Sequence, residues 1–238
     1  MCTVSFMSQG DTYLVTSNRD EHISRPRSLE PKEETVGPMR VLFPKDPRAG
    51  GTWFAVNEVG VVAVLLNGAF VGHLPNGNYA KSRGLIVLDV ISSKKPEQML
   101  EQMDLCRIEP FTLVLFNSRL LEFRWDGNQK YFRPLDKSKN HIWSSATLYQ
   151  DAVIEHRARL FDRFTKENTL IKPQDVLNFH SNNHDDFENG FIIDRETGLK
   201  TFSVTQVVLD EEETLMRHVD LLNDKRYEVP FSSRQLIL

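Results

Sequence analysis

With 238 residues, 40% of them apolar and 26% charged, the chain has the make-up of a soluble globular protein with enough material for a core, which excludes disordered, fibrous and coiled-coil classes. Its 33 acidic side chains against 29 basic ones leave a net charge of −4, without the basic excess that nucleic-acid binding requires. The strongest apolar run, Val59 to Leu66, is far shorter than the roughly 20 residues of a spanning helix, and no secretory leader precedes Asp11, so no transmembrane segment and a cytoplasmic address are expected.

Thr3 to Met7 and Tyr13 to Ser17 read as two strands joined by the turn-rich Ser8-Gln9-Gly10-Asp11, with the charged cluster Asn18-Arg19-Asp20-Glu21 standing where the second strand is expected to run out. From Ile23 to Gly51 five prolines rule out a helix and predict a long excursion with one short strand near Val41. Thr52 to Val56 and Val61 to Leu66 form a second hairpin signal, closed by Asn67. Leu85, Leu88 and Ile91 fall at helical spacing, and Pro96 opens a further helix to Leu105. Strand character returns at Phe111 to Phe116, Leu120 to Trp125, Tyr131-Phe132 and Ile142-Trp143. Val153, Ile154, Arg157, Leu160, Phe161 and Phe164 make one helical stripe, read as core, and Pro173 to Phe179 starts another helix. Phe191 to Asp194 and Leu199 to Val204 flank the turn Arg195-Glu196-Thr197-Gly198, before a charged tail with room for one more element. No linker interrupts this order. One α+β domain over residues 1–238 is predicted, with antiparallel sheets covered by helices.

Chemistry concentrates at the start of the chain. Removal of Met1, favoured when the next side chain is small, leaves Cys2 carrying a thiol and a free α-amine. Their ordinary pKa values, about 8.5 and about 7.7–8.0, are close enough for the amine to act as the thiol's base. Arg19 is the candidate cation for the thiolate, since a charge about 4 Å away at an effective dielectric of about 20 is worth on the order of 4 kcal/mol. Asp20 is suited to accept hydrogen bonds from the α-ammonium. Asn67 offers a neutral amide for an oxyanion, although Asn67-Gly68 is equally a turn signal. Gly50-Gly51 before Trp53 reads as a flexible strand entry ahead of a close ligand approach. Arg25, Arg27, Lys81 and Arg83 can receive an anionic group or simply form a mixed surface. His180 and His184 have metal-ligand spacing only if helical, and Asn182-Asn183 make solvated polar residues the expectation. Cys106, beside Leu105, reads as a buried apolar side chain, and two distant cysteines give neither a disulfide framework nor a zinc site.

The blocks Met1-Cys2-Thr3-Val4, Asn18-Arg19-Asp20-Glu21, Ser24-Arg25-Pro26, Gly50-Gly51-Thr52-Trp53, Asn67 and Ser82-Arg83-Gly84 resemble, in order, the NRDE family, also called the transport and Golgi organisation 2 family. That family is similar to the penicillin V acylase and bile salt hydrolase group, whose N-terminal nucleophile fold is a four-layer αββα sandwich. The resemblance implies that fold, cleavage of a non-peptide carbon–nitrogen amide bond, and catalytic roles for Cys2, Arg19, Asp20 and Asn67. It implies substrate contacts by Asn18, Arg25, Trp53, Arg83 and Ser145, with no metal and no cofactor. The chain departs from the acylase pattern in three places: Arg19 and Asp20 are adjacent, Ser144-Ser145-Ala146 stands where an asparagine is usual, and Trp-Pro-Lys is missing after Leu148. Arg157 and Arg159 are both candidates for the acylases' late arginine. The implied partner is a small-molecule substrate or, on the same fold without catalysis, an apolar ligand such as haem or lipid; a scaffold with no ligand site is the third alternative. Nothing in the sequence specifies an oligomeric state.

Overall fold

The computed structural model describes residues 3–73, 77–168, 170–210 and 213–232. In chain order the elements are β1 (Thr3–Gln9), β2 (Thr12–His22), β3 (Lys32–Val36), β4 (Met39–Phe43), β5 (Phe54–Asn57), β6 (Val62–Asn67), α1 (Arg83–Ile91), α2 (Pro96–Gln102), β7 (Phe111–Phe116), β8 (Leu120–Trp125), β9 (Lys130–Leu135), β10 (His141–Ser144), α3 (Asp151–Glu167), α4 (Pro173–His180), β11 (Leu199–Leu209), β12 (Thr214–Asp220) and β13 (Lys225–Phe231). Strands β3 to β9 form one antiparallel meander of seven, in sequence order. The other sheet has the order β10-β1-β2-β11-β12-β13, so the N-terminal hairpin is flanked by strands on both sides.

The core lies mainly between the sheets. Val4, Phe6 and Val15 from β1 and β2 belong to one buried cluster with residues of β4 to β8, and the Phe6 ring sits 5.2 Å from that of Phe116. Trp143 of β10 donates to Glu122 of β8 at 2.6 Å, a bond from one sheet to the other. Helix α1 packs on β5 and β6, while α3 and α4 pack on β10, β2 and β11, which completes the αββα sandwich expected from the sequence. Because side chains alternate along a strand, Met7 and Leu14 leave β1 and β2 on the opposite face and meet Phe161 and Val176 under α3 and α4.

Several expectations are corrected. β2 does not stop at Ser17: it runs to His22, so the charged cluster lies within a central strand. The proline-rich excursion holds a full hairpin, β3 and β4, where one short strand was expected. β6 ends at Asn67 but is not followed by a tight hairpin, since Gly68 donates to the Pro110 carbonyl and the chain leaves for α1. Phe191 to Asp194 is no strand; only an isolated bridge joins Asp194 to Lys200. The α3 stripe is core only at Arg157 and Phe161, the rest being half-buried. Cys106 is exposed, in the turn after α2 where its backbone N–H donates to Asp104.

Two polar side chains dock the helices. Arg157 is fully buried beneath α3 and donates to the Asn189 carbonyl at 2.9 Å, to the Gly190 carbonyl and to the Thr3 hydroxyl at 2.5 Å, with Tyr149's ring 3.7 Å from its guanidinium carbon. His180 is the last residue of α4 and is likewise buried, so the expectation of a solvated histidine is wrong. Its neighbours fix its tautomer. Asn18 donates through Nδ2 to the carbonyls of His180 and Phe191, both at 2.9 Å, which leaves Oδ1 as the acceptor for His180 Nδ1–H at 2.5 Å. His180 Nε2 is then the acceptor for the Ser5 hydroxyl at 2.8 Å.

Arg157→Leu leaves the Asn189 and Gly190 carbonyls without their donor, and we expect it to cost about 3 kcal/mol or more in urea unfolding. Arg157→Lys should recover only part of this, because one ammonium cannot reproduce the planar fork. A loss below about 1 kcal/mol for the leucine variant would show that the buried guanidinium does not hold these segments.

Burial holds the His180 pKa down at about 3 and that of His218 at about 4. Both folded values lie below the ordinary one, so on acidification the unfolded chain takes up protons first. Stability is complete above about pH 6.5 and falls as pH drops toward the folded values, by up to about 1.4 kcal/mol per pH unit for each histidine. Unfolding free energies measured from pH 7 to 5 should therefore decline, with a flatter slope in a His180→Gln, His218→Gln double variant. A flat profile for the parent chain would contradict this.

Candidate active site

The alternation of β2 sorts the charged cluster. Asn18 and Asp20 leave on the face covered by α3 and α4, and Arg19 and Glu21 leave on the face toward the other sheet. Asp20 accepts from the Tyr149 hydroxyl at 2.8 Å and from the Thr201 hydroxyl at 2.5 Å. The guanidinium of Arg19 lies 4.8 Å from the Trp53 ring centroid and 5.4 Å from that of Phe202. Phe202 reaches this position because β11 shifts register between Thr201 and Ser203, inserting one extra residue opposite Asp20 and Arg19.

Arg19 opens on a cavity of about 300 Å³ at one end of the inter-sheet space. Its wall includes the charged groups Glu21, Arg25, Asp46, Arg83 and Glu109 together with Thr52, Trp53, Leu65 and Asn67. Arg19 is 3.6 Å from Asp46 and 3.8 Å from Glu21; Arg25 is 2.5 Å from Asp46 and 3.7 Å from Glu21. Arg83 bonds the Pro110 carbonyl and pairs with Glu109, each at 3.1 Å, and Glu109 in turn bonds His73 at 3.0 Å. Burial pushes the Arg83 pKa down, with the Glu109 carboxylate pulling it back up.

Backbone packing brings the start of α1 to this cavity. A Cβ on Gly51 would overlap the Gly84 backbone, and Thr52 N–H donates to the Gly84 carbonyl at 3.1 Å. Gly51 is therefore explained by the contact of strand with helix, not by a flexible entry. The contact sets Ser82, Arg83 and Gly84 in the wall. Asn67 is held by its main chain, whose carbonyl accepts from the buried Ser145 hydroxyl at 2.8 Å.

Of the residues singled out in the sequence, Arg19, Arg25, Trp53, Asn67 and Arg83 converge on this one cavity. Asn18 does not line it; it is a buried strut between β2, the end of α4 and Phe191. Ser145 stands behind Asn67 rather than in the wall, and Asp20 is on the far face. Cys2 lies outside the described residues. Asp46 and Glu109 escaped the sequence reading: each precedes a proline in a loop, where no periodicity marks a direction. Tyr149 and Thr201 escaped it too, since only the folded sheet brings them to Asp20. Among the described residues no group of three or more histidines, cysteines or carboxylates could hold a metal ion, and no helix is long and apolar enough to cross a membrane.

Comparison with known proteins agrees with this architecture. The Caenorhabditis elegans N-acylethanolamine-hydrolyzing acid amidase ortholog superposes with a TM-score of 0.60 at 8% identity, over 86% of this chain and 92% of that one, which shows a shared N-terminal nucleophile hydrolase fold. A variant of conjugated bile acid hydrolase from Clostridium perfringens superposes with a TM-score of 0.49 at 10% identity, over 100% and 99% of the two chains. No curated protein sequence matches the chain. The family described as Transport and Golgi organisation 2 matches residues 1–225, nearly the whole length, and the chain belongs to that family.

Proposed function

We propose that the cavity is the active site of a cysteine N-terminal-nucleophile hydrolase that cleaves a carbon–nitrogen amide bond in a small polar molecule. The observation that carries this reading is the register of β1 on β2. Thr3 pairs with Asn18, Val4 with Ser17 and Ser5 with Thr16, so Arg19 is the next residue of β2 past the first pair, and the reading supposes that the same register continues by one residue. Side chains of paired residues share a face, with Cβ atoms about 4.5–5.5 Å apart. Val4 and Phe6 face the other sheet, the face from which Arg19 also leaves β2, and the proposal puts the nucleophile on that face.

In the proposed reaction the Cys2 thiolate, favoured by Arg19, attacks the acyl carbon. A carbon–sulfur bond forms and the carbonyl electron pair moves to oxygen, where Asn67 donates. The α-ammonium gives a proton to the amide nitrogen, the carbon–nitrogen bond breaks and the amine leaves a thioester. Water, losing its proton to the α-amine, then attacks the thioester; the acid departs and the thiol is restored. Asp20, one residue along β2 from Arg19, is suited to steady the α-ammonium from the opposite face. Amide cleavage is also the activity named for the C. elegans protein that shares the fold. Three arginines and three carboxylates in a cavity of about 300 Å³ favour a small, polar or charged ligand over haem or lipid, whose recognition calls for mostly apolar walls.

Intact-mass measurement should find Met1 removed, and iodoacetamide at pH 7 should alkylate Cys2 at least about tenfold faster than Cys106, whose thiol pKa is raised by the neighbouring Asp104. Arg19→Leu should abolish that preference. Quantitative retention of Met1 ends this mechanism, and equal labelling of the two cysteines ends the role given to Arg19.

A further inference from the structure

We propose that the indole N–H of Trp53 is a further catalytic hydrogen-bond donor, meeting the acyl oxygen of the substrate alongside the Asn67 amide. This assignment rests on the reading of the cavity as an amide-hydrolase site.

The three tryptophans differ in one respect. Trp125 donates to the Ile108 carbonyl at 2.9 Å and Trp143 to Glu122 at 2.6 Å. Trp53 is only 2% exposed, yet its Nε1–H, shielded from solvent, has no acceptor among the described residues. A buried donor left unpaired costs about 1–3 kcal/mol, and folded proteins carry few. A wall residue with such a donor is explained if a ligand supplies the acceptor.

The position agrees. The Trp53 carbonyl accepts from Leu65 N–H at 2.9 Å, so the indole starts beside β6, one residue before β5. Leu65 and Asn67, two residues apart, share one face of β6, and both line the cavity with Trp53. The Asn67 amide also has no side-chain hydrogen bond among the described residues. Two neutral donors, one directly before β5 and one at the end of β6, thus border the same space, with the Arg19 guanidinium over the indole ring. As the acyl carbon becomes tetrahedral its oxygen takes up the negative charge, and a donor fixed beside it gains strength in the transition state. Neutral donors serve here because they leave the thiolate's attraction to Arg19 intact.

The test compares two reactions at one sulfur. Acylation by p-nitrophenyl acetate forms a carbon–sulfur bond, breaks the ester carbon–oxygen bond with release of nitrophenolate, and passes through an oxyanion. Alkylation by iodoacetamide displaces iodide from a methylene carbon and develops no oxyanion. Trp53→Phe removes the N–H while keeping an aromatic ring, and should slow acylation of Cys2 about 10²-fold while changing its alkylation less than about threefold. Equal slowing of both reactions would mean that the indole only shapes the site, and unchanged acylation would mean that it donates nothing; either overturns the assignment. Should the parent chain alkylate at Cys2 but never acylate, the hydrolase reading fails separately. The donor is then judged from the three indole N–H resonances. In the carbamidomethylated protein the signal assigned to Trp53 should move downfield while those of Trp125 and Trp143 stay, and an unmoved Trp53 signal overturns the proposal.

Discussion

A single strand in the middle of a six-stranded sheet has two faces and no edge, and β2 uses both. Its alternation sends Asn18 and Asp20 toward α3 and α4, and Arg19 and Glu21 into the space between the sheets. Neighbours in sequence are thereby separated by the thickness of the sheet, so Arg19 and Asp20 do not neutralise each other although they are adjacent. Each instead answers to its own layer. A one-residue slip of β2 would exchange the two faces, burying Arg19 against α4 and placing Asp20 over Trp53. The register is secured on both sides by seven pairs with β1 and ten with β11. It is pinned again by Asn18, whose amide grips two carbonyls and a histidine that no shifted register could meet.

Most elements along the chain were legible in the sequence because they rest on local signals, while the four-layer arrangement and five wall residues, Arg19, Arg25, Trp53, Asn67 and Arg83, came with the family resemblance. Apolar and β-branched runs bounded by turn residues marked β1, β2, β5 to β8 and β11, prolines marked the starts of α2 and α4, and the short blocks at 18–21, 50–53 and 82–84 marked the wall. What stayed hidden depends on what folding brings together. Asn18 belongs to the same block as Arg19, and only its direction off the strand turns it from an expected substrate contact into a strut. His180 followed by a polar stretch looked solvated; burial at the end of α4 made it a neutral ligand of Ser5 and Asn18. Arg157 read as one more member of an apolar stripe, though its role is to join α3, residues 189–190 and Thr3. Cys106 went the other way, since a hydrophobic neighbour in sequence does not bury a side chain that sits in a turn.

The charges around Arg19 decide what the cavity can attract. Taking a guanidinium to 1% exposure costs several kcal/mol unless it is compensated. Compensation comes from Glu21 and Asp46 at 3.6–3.8 Å and from the faces of Trp53 and Phe202. Arg25 holds the same two carboxylates, so the four groups sum to zero charge. An anion in contact with Arg19, at about 4 Å, gains on the order of 4 kcal/mol at an effective dielectric of about 20, while each carboxylate at roughly 8 Å opposes it by about 2. The opposing pair nearly cancels the gain unless Arg25 is counted, and what remains is a field that acts at contact and fades within a few ångströms. Such a site does not steer anions from solution, and its occupancy should depend little on salt. On the proposed reading, that field serves the thiolate beside Arg19, and the acyl group of the substrate is met by groups without net charge. In the proposed reaction that division of labour makes neutral donors in the same wall, the amide of Asn67 and the indole of Trp53, better suited to the acyl oxygen than another arginine would be.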